Sequence, residues 1–159
     1  MEYVFKSIGI IHTPFKMVAG MPVQSALAKG IKGTVVMDDE FVEGLLDLDG
    51  FSHIFLIYWF HQSKDYELQV VPFLDQQSHG LFATRAPKRP NRIGLSVVKL
   101  IKIEGNIIEF ENADMLDGTP LLDIKPYIPE FDIHQVEKTG WMDKNKEKIQ
   151  GTLSDQRFT

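Results

Sequence analysis

Residues 95–111 read LSVVKLIKIEGNIIEFE, two stretches rich in β-branched residues joined across Gly105-Asn106. A glycine-asparagine pair between two such stretches is a strong local signal for an antiparallel hairpin, because the turn needs a residue that accepts positive φ. A chain with this hairpin near its middle is read first as a β protein, and the rest of the sequence supplies further strands. Residues 3–11 carry β-branched and aromatic side chains up to the turn signal Thr13-Pro14. Residues 33–37 (GTVVM) and 67–72 predict two short strands, and residues 51–60 (FSHIFLIYWF) a central strand buried on both faces. Helical patterning is weak. Residues 39–48 suit a turn or two with Phe41, Leu45 and Leu48 on one side, and the charged stretch 136–149 suits a short C-terminal helix interrupted by Gly140. The last ten residues are polar and predict a loosely held tail. Many short strands punctuated by Gly and Pro indicate a mainly β chain, a barrel or a sandwich with short helical segments.

With 159 residues, 43% of them hydrophobic and 25% charged, the chain fits one globular domain with a sizeable core. It contains no cysteine, which removes disulfides, thiolate nucleophiles and sulfur-ligated zinc, and suits a reducing cytoplasm. No basic stretch followed by an apolar core opens the sequence, and the longest apolar run, residues 54–60, is far short of the roughly 20 residues that span a bilayer. The net charge of −5 argues against coating nucleic acid over the whole surface, so any such contact has to come from a local cluster of cations.

One such cluster exists. Arg85, Lys88, Arg89 and Arg92 lie within eight residues, interleaved with Pro87 and Pro90. The prolines restrict themselves and the residues before them to extended conformations, so the cations ride on a stiffened loop. A guanidinium already placed loses less entropy when it grips a carboxylate or phosphate. By composition alone, a solvated surface loop and an anion site fit equally.

Two other segments carry chemistry. Asp117-Gly118-Thr119-Pro120 is a turn sequence, read either as a plain strand connection or as a turn presenting its backbone and carboxylate to a ligand. A pocket joining Arg85 to Asp117 would suit a zwitterion with an amine and a carboxylate. At the end of the apolar strand the sequence turns polar at His61 and Gln62, which places them at a strand mouth, as ligand or structural residues. Several signatures are missing: no strand-GxGxxG-helix unit, no P-loop, no metal-ligand spacing among His12, His53, His61, His79 and His134, and no nucleophile elbow around any serine. No metal is expected.

The motifs FSH at 51–53 and FHQ at 60–62, ATRAPKRPN at 83–91 with Ile93-Gly94, and DGTP at 117–120 with DIKPY at 123–127 resemble, in this order, the tRNA N6-threonylcarbamoyladenosine-37 N6-methyltransferase family. The resemblance covers about residues 5–131. It implies a β-barrel unlike the doubly wound (Rossmann-type) methyltransferases, S-adenosylmethionine as cofactor, and a pocket near a homodimer interface. Carried over residue by residue, the pocket uses Pro22, Val23, Gln24, His61, Gln62, Arg85, Leu95, Asp117, Gly118, Thr119 and Pro120. Bacterial members often have Arg where this chain has Val23. Longer members carry a further C-terminal domain, so the chain reads as a short form with a barrel domain over residues 1–135 and a C-terminal helix and tail over 136–159.

Methyl transfer from a sulfonium is an in-line displacement, in which placing the acceptor opposite the methyl is the protein's main task. On this reading Arg85 holds the cofactor's carboxylate or a nearby polar group, and the turn from Asp117 to Pro120 its other end. Lys88, Arg89, Arg92 and Lys125 are left to contact the phosphates of the tRNA anticodon stem-loop, and Asp117 and Tyr127 are candidates to take the acceptor's proton. The competing readings are a non-catalytic barrel that binds a nucleotide-like ligand, and a methyltransferase of the same fold with another acceptor.

Overall fold

The computed structural model describes residues 1–158; Thr159 lies outside the described residues. Strands β1 (Gly9–His12), β2 (Lys32–Met37), β3 (His53–Trp59), β4 (Gln69–Val70), β5 (His79–Gly80), β6 (Ile93–Glu104), β7 (Ile107–Glu111) and β8 (Thr119–Pro126) are followed by a single turn of helix, α1 (Pro129–Asp132). Six of the strands close into a barrel in the order β1-β2-β7-β6-β3-β8, while β4 and β5 form a separate two-stranded ribbon. Every pairing in the barrel is antiparallel. Closure leaves no unpaired edge, which is how a small all-β chain avoids exposing a row of backbone donors and acceptors.

The hairpin is β6 and β7, with Glu104 opposite Ile107 and Gly105 at φ 61. The barrel interior is solid. Ile11, Val35, Ile54, Leu56, Val98, Ile108, Phe110 and Leu121 are fully buried and fill it. Two glycines make this packing possible. Gly33 lies opposite Phe110 and Gly94 opposite Tyr58, and a Cβ on either would lie 2.4 Å or 2.2 Å from the facing aromatic ring.

Antiparallel closure sorts the connections between the two ends. At one end lie residues 13–31 between β1 and β2, residues 60–92 between β3 and β6, and residues 112–118 between β7 and β8. Thirty-three residues in the second of these connections need support of their own. They have it in a small second core of Val70, Leu81, Ala86 and Phe158, with Phe73 packed against it.

Several expectations are corrected. The first strand is Gly9–His12 rather than residues 3–11; Tyr3, Val4 and Phe5 are exposed and have no partner strand. The run 51–60 is not buried on both faces, since Ile54, Leu56 and Tyr58 point inward while the alternate residues remain half-covered. Residues 67–72 contribute only the two residues of β4. Residues 39–50 form short 3-10 turns that lay Phe41, Leu45 and Leu48 on the core. The C-terminal helix is absent: Gly140, at φ 59, opens a 3-10 turn to Lys144, and a second covers Lys146–Lys148. The described part of the tail is held down, with Ser154 and Phe158 buried and Leu153 bridged to Pro22.

Candidate functional site

The loops at one end of the barrel bring together residues far apart in the chain. Gln24, in the first connection, accepts a hydrogen bond at 2.6 Å from an Arg85 Nη in the second. Pro22 is buried and Ser25 begins a 3-10 turn, so Gln24 is presented by a fixed segment. Arg85 is exposed, while Thr84 and Ala86 on either side are buried and anchor it. The guanidinium is thus aimed by its neighbours, and its remaining donors face solvent at the barrel mouth.

The Asp117 turn joins loops. Its carboxylate accepts from the Lys16 ammonium, the Thr13 N–H at 3.1 Å and the His12 ring at 3.2 Å. The Asp117 and Gly118 N–H groups donate to the carbonyls of Phe15 and Ile11. The Lys16 ammonium above all, with the Thr13 N–H and His12, holds the Asp117 carboxyl down at about 2. A carboxylate that acidic is a poor proton acceptor at neutral pH, so the expectation that Asp117 takes the acceptor's proton does not fit its surroundings. Thr119 donates to the Leu116 carbonyl and lies 3.4 Å from Nδ1 of His61, whose imidazole is shifted down by burial against the opposing pull of Asp117. Gln62 is exposed beside it.

Tyr127 lies elsewhere in the chain. Eight residues of β8 separate it from the Asp117 turn, on the order of 25 Å of extended chain. It closes the opposite end of the barrel, packing on Phe55 at 5.5 Å and on His53 at 6.4 Å. Within one chain it cannot share a site with Arg85. Lys125 also lies toward that far end, paired with Asp123 at 2.7 Å.

The cations of the proline-stiffened loop are divided by the structure. Arg89 donates to the Thr84 and Ala86 carbonyls at 3.1 and 3.4 Å and stacks over Phe82. Arg92 donates to the Ser63 carbonyl and lies over Trp59. Both hold the loop that carries Arg85, and only their outward N–H groups can meet a phosphate. Lys88 borders a cavity of about 460 Å³ with Glu67, Asp75 and Arg157. A second cavity, of about 590 Å³, is lined by His12, Lys16, Lys32 and Asp117. Neither is lined by Gln24 or Arg85. Leu95 is 57% exposed on the outer face of β6, opposite to the inward Ser96.

One part of the site carries no local signal in the sequence. Tyr58 on β3, Ser96 on β6 and Asp114 in the third connection form a hydrogen-bonded line. Ser96 Oγ donates to the Asp114 carboxylate at 2.6 Å, and the Tyr58 hydroxyl lies 3.0 Å from Ser96 Oγ. The one serine hydrogen is used on the carboxylate, so Tyr58 is the donor to Ser96. Burial, with Asp114 nearby, pushes the phenol far above its ordinary value, which keeps that donor protonated. Burial also pushes the Asp114 carboxyl up to about 6, against the stabilising contacts of Ser96, the Ser25 N–H and the Arg85 charge. A raised carboxyl binds its proton more tightly in the folded state. Its stabilisation is complete below the unfolded value and is lost as pH rises through about 6. From this group alone the protein should lose about 2 kcal/mol between pH 4 and pH 7. Urea unfolding at the two pH values should show that loss in the wild type and not in Asp114→Asn. An equal pH dependence in both proteins would reject the assignment.

Among the described residues, no group of three or more His, Asp or Glu side chains could hold a metal, and no helix is long and apolar enough to cross a membrane. Residues 10–133 match the family defined as the tRNA-methyltransferase O N-terminal domain. The chain belongs to that family. A probable S-adenosyl-L-methionine-binding protein of Pyrococcus abyssi is 52% identical over 97% of this chain and 84% of its own length. The mouse tRNA (adenine(37)-N6)-methyltransferase is 36% identical over 80% of this chain, which spans 31% of the mouse protein. Among solved structures, TrmO from Pseudomonas aeruginosa superimposes with a TM-score of 0.75 at 37% identity, covering 89% of this chain and 63% of that one. The tRNA-methyltransferase O family barrel is not of the doubly wound type, which accounts for the missing glycine fingerprint. The match ends at residue 133, before the segment that docks on the second core.

Proposed function

We propose that this chain is an S-adenosylmethionine-dependent methyltransferase of tRNA, acting on N6 of threonylcarbamoyladenosine at position 37. The observation that carries the reading is the Gln24–Arg85 pair at the barrel mouth with the Asp114 carboxylate behind it. A fixed guanidinium suits the carboxylate end of an amino acid, and family membership and the relatives' names support S-adenosylmethionine as the molecule that brings it. The pocket comprises Pro22, Val23, Gln24, His61, Gln62, Arg85, Leu95 and the turn Asp117, Gly118, Thr119, Pro120. When bound, the cofactor supplies an activated methyl. The chain's own contribution is placement: Arg85 grips a carboxylate, Gln24 keeps the guanidinium in plane, and the Lys16–Asp117 contact fixes the loops around it. Residues 1–135 form the cofactor-binding barrel domain and residues 136–159 the C-terminal segment, whose described residues brace it.

The RNA surface is built from Lys88 and the outward N–H groups of Arg89 and Arg92, with Lys125 reachable from a second copy across a homodimer in which the exposed face at Leu95 is covered. The enzyme works in the cytoplasm. Arg85→Ala should weaken S-adenosylmethionine binding at least tenfold by titration calorimetry, since it removes a charge-assisted contact. Unchanged affinity would remove Arg85 from the pocket. Mass spectrometry of tRNA from cells with and without the protein tests the whole function. Loss of the methyl on the modified adenosine is expected; intact methylation would leave a binding module or another acceptor.

A further inference from the structure

We infer that Phe82 is the platform on which the acceptor adenine stacks when it leaves the tRNA anticodon loop, with the Arg89 guanidinium behind the ring. The inference rests on the tRNA reading above and deepens it, because that reading gives the cations to the phosphates and leaves the base without a partner.

Phe82 is 75% exposed, yet the segment that carries it is firmly held. It lies in the 3-10 turn Leu81–Ala83. The Leu81 N–H donates to the Leu68 carbonyl at 2.9 Å, and the Thr84 N–H and hydroxyl both donate to the Leu81 carbonyl, at 3.0 and 2.8 Å. Trp141 pins the next residue through its bond of 2.8 Å to the Ala83 carbonyl. Leu81 and Ala86 belong to the second core, and Thr84 between them is buried. Burial thus sorts the segment into an inward set of Leu81, Thr84 and Ala86 and an outward set that includes Phe82 and Arg85. Three residues separate the ring from Arg85, at most about 10 Å of chain. Whatever lies on the ring is therefore at the rim of the mouth where Arg85 grips the cofactor.

The ring also has a charge set against it. The Arg89 guanidinium stands over it, 5.7 Å from the centroid, and is itself fixed by the Thr84 and Ala86 carbonyls at 3.1 and 3.4 Å. With the guanidinium on one face and three quarters of the residue in solvent, the other face is open to a flat ligand. RNA loops are read in this way, by drawing out a base and stacking it on an aromatic ring or a guanidinium plane. The outward N–H groups of Arg89 then meet the phosphate of the same or the next nucleotide, so that one site takes both parts of a nucleotide. An apolar contact for another protein would need no such charge. Arg85, Lys88, Arg89 and Arg92 around the ring, in a chain of net charge −5, match a polyanion instead.

Fluorescence anisotropy tests this with a synthetic anticodon stem-loop bearing threonylcarbamoyladenosine at position 37. S-adenosylhomocysteine is present throughout, so that no methyl is transferred. Phe82→Leu should weaken binding about tenfold, within the range for one base stacked on one aromatic ring, and Phe82→Trp should stay within about threefold of the wild type. The lost contact is uncharged, so the slope of log affinity against log salt should be the same in Phe82→Leu and the wild type. Arg89→Gln should flatten that slope by about one. If Phe82 served only to hold Arg89, its leucine variant would flatten the slope as well, and that result would overturn the inference. The same stem-loop with an abasic nucleotide at position 37 supplies the second arm. It should cost the wild type about tenfold and Phe82→Leu less than about twofold, because both changes remove one contact. Equal costs in the two proteins would show that the ring does not touch that base, and would sink the inference while leaving the tRNA reading intact. Wild-type protein that does not bind the stem-loop would overturn the tRNA reading itself.

Discussion

Gly94→Ala should destabilise the protein by about 3 kcal/mol, the upper part of the range for overpacking a filled core. The added Cβ would lie 2.2 Å from the Tyr58 ring, with two more ring atoms inside 3 Å. The backbone of Gly94 is not in the left-handed region, so the cost is purely steric. The ring cannot move aside easily. It is 4% exposed, pinned by Phe60 edge-on at 5.5 Å and by its hydroxyl bond to Ser96. For a chain of this length, about 3 kcal/mol corresponds to a midpoint lowered by about 6–12 °C. The test is a double-mutant cycle with Tyr58→Leu, which removes the clashing ring atoms. In that background the alanine should cost less than about 1 kcal/mol, leaving a coupling on the order of 2 kcal/mol. Equal costs in both backgrounds would mean that Gly94 is required for some other reason.

Gly94 also shows what the sequence made legible and what it did not. The hairpin, the strand at 33–37 and the strand at 51–60 were readable because their side chains and turn residues carry a local signal. β8 escaped because Pro120 and Pro126 argue against a strand. Both stand at its ends, where a missing N–H is tolerated, and the strand between them closes the barrel against β1 and β3. The position of Tyr127 has the same source. Ten residues from Asp117 is near in sequence and, along a strand, the far end of the barrel. Residues 3–8 failed in the opposite direction, since apolar β-formers make a strand only where a partner is available. Asp114 was invisible in principle: its partners Ser96 and Tyr58 stand 18 and 56 residues away, and nothing in the sequence surrounding any of them marks a ligand site. Arg85 was legible as a cation on a stiff loop, but the division of labour among its neighbours depended on where the loop's carbonyls lie.

Ending the chain after Lys138 should cost at least tenfold in S-adenosylmethionine affinity while leaving the barrel folded. Among the described residues, the removed segment contributes no member to the main core, whose members end at Leu121 and Ile124. It does touch both loops that build the pocket. Toward the first loop, Ser154 exchanges backbone bonds of 2.8 Å with Gly20 and Met21, and Leu153 bridges Pro22, two residues before Gln24. Toward the second, Trp141 donates to the Ala83 carbonyl at 2.8 Å and stacks on His79 at 4.7 Å, two residues before Arg85 in the first case. His79 is in turn held by Asp75, which also accepts from Asn145. Phe158 completes the second core edge-on to Phe73, with Arg157 donating to the Pro72 carbonyl at 2.7 Å. A connection as long as residues 60–92 pays a large ordering entropy unless something packs on it, and this segment supplies that packing. Without it Gln24 and Arg85 are no longer referred to a common support, and the ordering has to be done by the cofactor on binding. Far-ultraviolet circular dichroism should keep its β signature, while hydrogen exchange should speed up in residues 62–90 and 17–24 and not in β3, β6 or β7. Wild-type affinity in the shortened chain, with unchanged exchange in those loops, would show that the barrel alone fixes the pocket. The pair Trp141→Ala and Phe158→Ala in the full chain should reproduce most of the loss, because those two side chains provide the aromatic contacts between the segment and residues 72–83.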